Sequence, residues 1–136
     1  MGSQGMFIIV PATSRELRAI GDAAGRQIIA LGSTGLTLLD STTTALGGSA
    51  TYTGASQDSS LYSKLVGIVF ADQGGVLNID QSQDGVNWDY TSQFAVGGNA
   101  GLAFSVEVVA PFARMRIVNG AVAQAILRAY MRGRVI

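Results

Sequence analysis

The sequence predicts an all-β protein: a β-sandwich or jelly-roll-like domain over residues 41–136, preceded by an extended N-terminal arm over residues 1–40. Three observations carry that expectation. Apolar, strand-length segments recur at roughly 8–12-residue spacing, the pattern of a sandwich and not of helix-crossover folds. Eighteen glycines and many Ser and Thr supply turns. No heptads or internal repeats compete, and 136 residues suffice for one domain with its own core.

The first forty residues read differently from the rest. Leu17, Ile20, Ala24, Ile28 and Leu31 fall at helical spacing, Ser14 is placed to cap, and Glu16 sits in the first turn. Gly21 and Gly25 oppose a helix by about 1 kcal/mol each relative to Ala. The reading therefore favours an arm lying along a neighbour, with a short helix as the alternative. Thr34 to Thr51 is a Ser/Thr/Gly-rich connector with a strand signal at Leu36 to Leu39.

The sandwich strands follow near residues 49–54, 64–72, 75–82, 86–96, 101–110, 112–119 and 123–132. In KLVGIVFA, Val66, Ile68 and Phe70 share one face and Leu65 and Val69 the other, so both faces need cover from sheets or from a partner. Gly74-Gly75 reverses the chain, and Leu77 and Ile79 then alternate with Asn78, Asp80 and Ser82. Asp84-Gly85 signals a tight hairpin, because glycine tolerates the positive φ of a primed turn. Gly97-Gly98-Asn99, Pro111 and Asn119-Gly120 mark the later turns, the last joining an expected terminal hairpin. Phe70, Leu77, Ile79, Phe104, Val106, Ile117 and Leu127 are the expected core.

Composition narrows the function. Charged residues are 13% and apolar residues 48%, thin in charge for a monomer and suited to an assembly that hides surface. Without Cys there is no disulfide or thiolate metal site, and without His the usual general base and metal ligand are gone. A net charge of zero argues against nucleic acid as the main partner. Phe7 to Val10 is too short for a signal-peptide core or a membrane span, and Met6 stands where myristoylation needs Ser or Thr. Synthesis in the cytoplasm is the expectation, with no membrane partner.

Several clusters invite chemistry. Asp72, Asp80, Asp84 and Asp89 could offer oxygens to Ca²⁺, but the D-x-D-x-D-G pattern is missing, and turn or edge roles account for them. Asp80, Asp84 and Glu107 could be paired as glycosidase carboxylates, with nothing to indicate a cleft. Trp88, Tyr90 and Tyr52 could stack a sugar, although a lone sandwich Trp is more often filler. The basic residues are uneven: residues 1–106 hold four against eight acidic, residues 107–136 five against one. Arg128, Tyr130, Arg132 and Arg134 share strand parity and so one face, which Arg114 and Arg116 would join in the terminal hairpin. Such a stripe suits bidentate pairing with acidic partners; a solvated protective edge and a nucleic-acid contact are the alternatives.

Together, ATYTG (50–54), Phe70-Ala71-Asp72, SQDGVNW (82–88) and RMRIVNGAVAQ (114–124) resemble small β-sandwich virion proteins of tailed bacteriophages over residues 41–132. SQDGVNW is also similar to the Asp-box turn of sialidase-like propellers, one residue short. The virion resemblance implies a non-enzymatic capsid decoration or cement subunit bracing the major capsid protein or other virion subunits, located in the virion. The alternative is a receptor- or carbohydrate-binding module of a tail fibre or spike. It implies a homo-oligomer, with a trimer favoured, and no cofactor. Attachment is expected through Phe7, Ile8, Ile9, Val10, Ile28, Ile29 and Leu31 of the arm, with Arg128, Tyr130, Arg132 and Arg134 setting orientation.

Overall fold

The structure, a computed structural model, describes residues 35–135. The expectations for Phe7, Ile8, Ile9, Val10, Ile28, Ile29 and Leu31, and the choice of arm or helix over residues 14–31, lie outside them.

The described residues hold strands and no helix: β1 (Leu36–Thr42), β2 (Thr51–Thr53), β3 (Gln57–Asp58), β4 (Lys64–Ala71), β5 (Gly75–Ser82), β6 (Tyr90–Val96), β7 (Ala100–Glu107), β8 (Phe112–Asn119) and β9 (Leu127–Arg134). They form two antiparallel sheets. One has four strands in the order β1-β9-β4-β7; the other has β2-β8-β5-β6, with β3 also pairing β8. The fold is a β-sandwich, as the alternation of apolar residues predicts. The strand signalled at Leu36 to Leu39 extends to Thr42 and pairs with β9, so these residues are part of a sheet.

Alternation sorts each strand into an inner and an outer set. Leu65, Val69 and Ala71 of β4 face Leu77 and Ile79 of β5 across a layer completed by Phe104 and Val106, Met115 and Ile117, Leu127 and Met131. Phe94 meets Phe104 at 6.1 Å between ring centroids, in a tilted arrangement that aromatic pairs favour. Gly67 lies opposite Phe104, and a Cβ there would run into the Phe104 ring and the Tyr130 carbonyl, so the glycine makes room for the ring.

Three expectations are corrected. Phe70 is not core: it shares parity with Val66 and Ile68 on the outer face and is only half-buried. The terminal hairpin does not form, because β8 pairs β5 while β9 pairs β4 and β1, and Asn119-Gly120 carries the chain from one sheet to the other. Gly74-Gly75 likewise crosses between sheets. The physical reason is shared. Both strands of each pair have an apolar inner set, and placing them in opposite sheets buries those sets against each other. Only β5 and β6 form a sequential hairpin among the described residues, and residues 83–89 link them in place of a two-residue turn.

Truncating Leu77, fully buried in this layer, to Ala should cost about 2–5 kcal/mol, read from urea unfolding midpoints. Phe70→Ala, on the outer face, should cost less than Leu77→Ala. An equal loss at both positions would contradict this sorting of faces.

Candidate functional site

The two outer faces of the sandwich differ in chemistry. On the five-stranded sheet, Asp80 is 1% exposed and surrounded by donors. Arg114 lies directly across from it on β8 and Thr91 across on β6. Arg114 Nε donates to Oδ2 at 2.8 Å, Arg116 Nε to Oδ2 at 2.9 Å and Nη2 to Oδ1 at 3.0 Å, and the Thr91 hydroxyl to Oδ1 at 2.6 Å. Burial pushes the Asp80 carboxyl up, but the bonds from Arg116, Thr91 and Arg114 and the Arg116 charge outweigh it and bring the pKa down to about 2. Arg114 also places its guanidinium 4.4 Å from the centroid of the Trp88 ring. A cation thus covers one face of the half-buried Trp88.

The other motif residues hold loops. Asp84 Oδ1 accepts the N–H groups of Val86 (2.9 Å) and Asn87 (2.8 Å), and Oδ2 accepts the Asn87 amide at 2.7 Å. The backbone N–H of Asn87, then that of Val86, then the Asn87 amide hold its carboxyl well below the usual carboxylate range. Gly85 takes φ +77° beneath the Phe112 ring, which is why a glycine stands there. Asp72 accepts the N–H groups of Ala125 and Ile126 at 3.0 Å and so ties the β4–β5 crossing to the β8–β9 crossing. Asp80, Asp84 and Asp72 are thus committed to separate tasks, and among the described residues no three acidic side chains converge as a metal site would need.

The four-stranded sheet turns a different surface outward. Arg128, Tyr130, Arg132 and Arg134 alternate with the buried Leu127, Ala129, Met131 and Gly133, so they do share a face, as parity predicts. Arg114 and Arg116 do not join them, since β8 lies in the other sheet and both are paired with Asp80. Beside the stripe, Phe70, Ile68 and Val66 sit opposite Arg128, Tyr130 and Arg132. The Arg128 guanidinium lies 4.6 Å from the Phe70 ring centroid. On the far side, Leu38 and Leu36 sit opposite Arg132 and Arg134. Ile68 is 59% exposed, Leu36 54% and Leu38 47%. Leu36, Val66, Ile68, Tyr130, Arg132 and Arg134, with Ala103 and Ser105 of β7, line a shallow groove of about 500 Å³. Its acidic neighbour, Glu107, is held by Lys64 at 3.1 Å.

The sequence reading named the arginine-tyrosine stripe but not the leucines beside it. For the neighbouring Val66, Ile68 and Phe70 the signal is present in β4, a strand apolar on both faces with only one face needed for the core.

Fold and surface together define a β-sandwich protein whose open face mixes arginine with apolar side chains. Residues 24–132 match the family model described as the uncharacterised protein YqxG N-terminal domain, and the chain belongs to that family. No curated protein matches it. Among solved structures it is similar to the PBSX exported protein XepA, at 27% identity and a TM-score of 0.66 over 79% of this chain. The match spans only 39% of XepA. A chain of the Bacillus endospore appendages, disulfide-linked pili, matches at 17% identity and a TM-score of 0.45, over 76% of this chain and 95% of that one.

The Asp80 cluster gives a signed expectation. A carboxylate whose pKa is depressed on folding contributes stability above its unfolded value near 4, and loses it as pH falls toward 2. Asp80→Asn should therefore cost on the order of 2 kcal/mol at pH 7. The gap to wild type should narrow in urea titrations as pH drops through 4 toward 2. A gap that stays constant with pH would show that the charge is not what matters.

Proposed function

We propose that the chain is a non-enzymatic structural subunit of a phage-related assembly, seated through the outer face of the four-stranded sheet on an acidic, partly apolar partner surface. The observation that carries this is the pairing of Arg128, Arg132 and Arg134 with exposed Ile68, Leu36 and Leu38 on one face. Solvent-accessible arginines and aliphatic side chains side by side suit a protein interface; Arg and Tyr are enriched there. The likeness to an exported protein of PBSX supports a phage-related setting outside the producing cell. The absence of His and Cys from the chain, and the commitment of Asp72, Asp80 and Asp84 to backbone and arginine partners, support a role without turnover.

The finer form of this reading is a capsid decoration or cement subunit. Such a subunit covers a lattice, so its copy number follows that of the capsid protein. Quantitative mass spectrometry of purified particles measures the ratio directly. A ratio near that of the capsid subunit supports decoration, a few copies per particle support a tail or spike module, and protein found only in the medium defeats the particle reading.

Reversing charge in Arg128→Glu with Arg132→Glu should leave the fold intact, because both side chains point outward, and should abolish co-sedimentation with particles. Full retention of the folded double variant on particles would move the contact to another surface.

A further inference from the structure

The groove has one border of unusual character. Among the described residues β7 is an edge strand of eight residues, in unbroken register with β4 from Ala100 to Glu107. Its sequence, AGLAFSVE, contains no proline or lysine. The other edge of the same sheet, β1, is interrupted by a register shift against Met131 and Arg132. Proteins that remain monomeric blunt long edges with bulges, charges or proline, and β7 has only Glu107 at its end.

The direction of its backbone groups can be read. Val108 N–H donates to Ser63 O, toward β4, at 3.0 Å. Gln81 donates from Nε2 to Glu107 O at 2.8 Å and accepts Val109 N–H at Oε1 at 2.9 Å, so its carboxamide occupies that end of the edge as a strand would. The alternation of an antiparallel ladder then turns the peptide groups of Gly101, Ala103 and Ser105 away from β4.

We propose that two copies of this chain pair β7 with β7 in antiparallel fashion about a two-fold axis at Ala103, joining their four-stranded sheets into one of eight strands. In that register Gly101 faces Ser105 of the other copy and Ala103 faces Ala103. From Gly101 to Ser105 every outward side chain at the seam is small and exposed, and none is charged. Glu107 falls opposite Asn99, so no like charges meet. The cores extend as well, with Leu102 opposite Phe104.

Charge selects this arrangement over the other self-association that the groove would allow. Stacking two outer faces would set Arg128, Arg132 and Arg134 against their own copies. Edge pairing leaves the two stripes five strand spacings apart, roughly 24 Å at about 4.8 Å each. That distance exceeds the Debye length of about 8 Å at physiological salt, so the repulsion is screened. The inference does not depend on the particle reading, because the outer face stays open in the dimer. A two-fold pair is a dimer, in place of the trimer that the resemblance implied.

Sedimentation of the full chain at micromolar concentration tests it. Wild type should sediment as a dimer, and Ala103→Pro as a folded monomer, since the lost N–H points away from β4. The chain has no cysteine, so a single introduced thiol finds a partner only on another copy. Ala103→Cys should cross-link efficiently with a short bismaleimide. Gly101→Cys should not, because the two thiols lie about 13 Å apart along the strands. A monomeric or trimeric wild type, a folded Ala103→Pro dimer, or equal cross-linking at positions 101 and 103 would each overturn the proposal; where Ala103→Pro does not fold, the cross-linking pair decides.

Discussion

Burial of a single apolar layer between two sheets governs the rest of this structure, because the chain changes sheet at almost every connection. β1, β4, β7 and β9 lie in one sheet and the strands between them in the other. Each crossing must pass the rim of the sandwich, where backbone groups lose their ladder partners and must find others. Side chains supply them. Asp72 serves Ala125 and Ile126, Gln81 serves Glu107 and Val109, and the buried Asn119 donates its amide to the carbonyls of Gly47 at 2.9 Å and Val122 at 2.8 Å. Ser59 donates to Ala110 O at 2.8 Å. The amides and carboxylates that stand out in the sequence are largely fasteners for these rims.

That explains what could be read from the chain and what could not. Inner sets such as Leu77 and Ile79, or Phe104 and Val106, were legible because strand alternation is local and needs no knowledge of neighbours. Pairing was not local. Asn119-Gly120 has hairpin chemistry, yet β8 and β9 part because each finds its ladder elsewhere, with β5 and with β4. The misplaced Phe70 follows from the same gap: its strand is apolar on both faces, and only the sheet order says which face meets the core. Asp80 looked like a member of an acidic group along the sequence, whereas the fold gives it two arginines more than thirty residues away.

The polar network also explains why the two outer faces differ. Arg114 and Arg116 are paired with Asp80, and one of them also covers Trp88, so the five-stranded face holds its arginines in internal contacts. Tyr52 crosses between the sheets to donate to Asp40 at 2.8 Å. Burial, then the hydrogen bond to Asp40 and its charge, push its phenol up to about 12, so the bridge stays a neutral donor at ordinary pH. The exposed Arg128, Ile68, Leu36 and Leu38 lie on the four-stranded sheet.

Zero net charge therefore conceals a direction. Among the described residues the four-stranded sheet carries Lys64, Arg128, Arg132 and Arg134 against Asp40 and Glu107, while the opposite sheet and its loops carry Asp58, Asp80, Asp84 and Asp89 against Arg114 and Arg116. The described residues so arranged contribute an electric dipole running through the thickness of the sandwich. A uniform field exerts no net pull on it, but turns it. Near an acidic surface it would rotate before it is drawn in, presenting the arginine side first. Such a molecule can be indifferent to charged surroundings at long range and still arrive correctly oriented at short range.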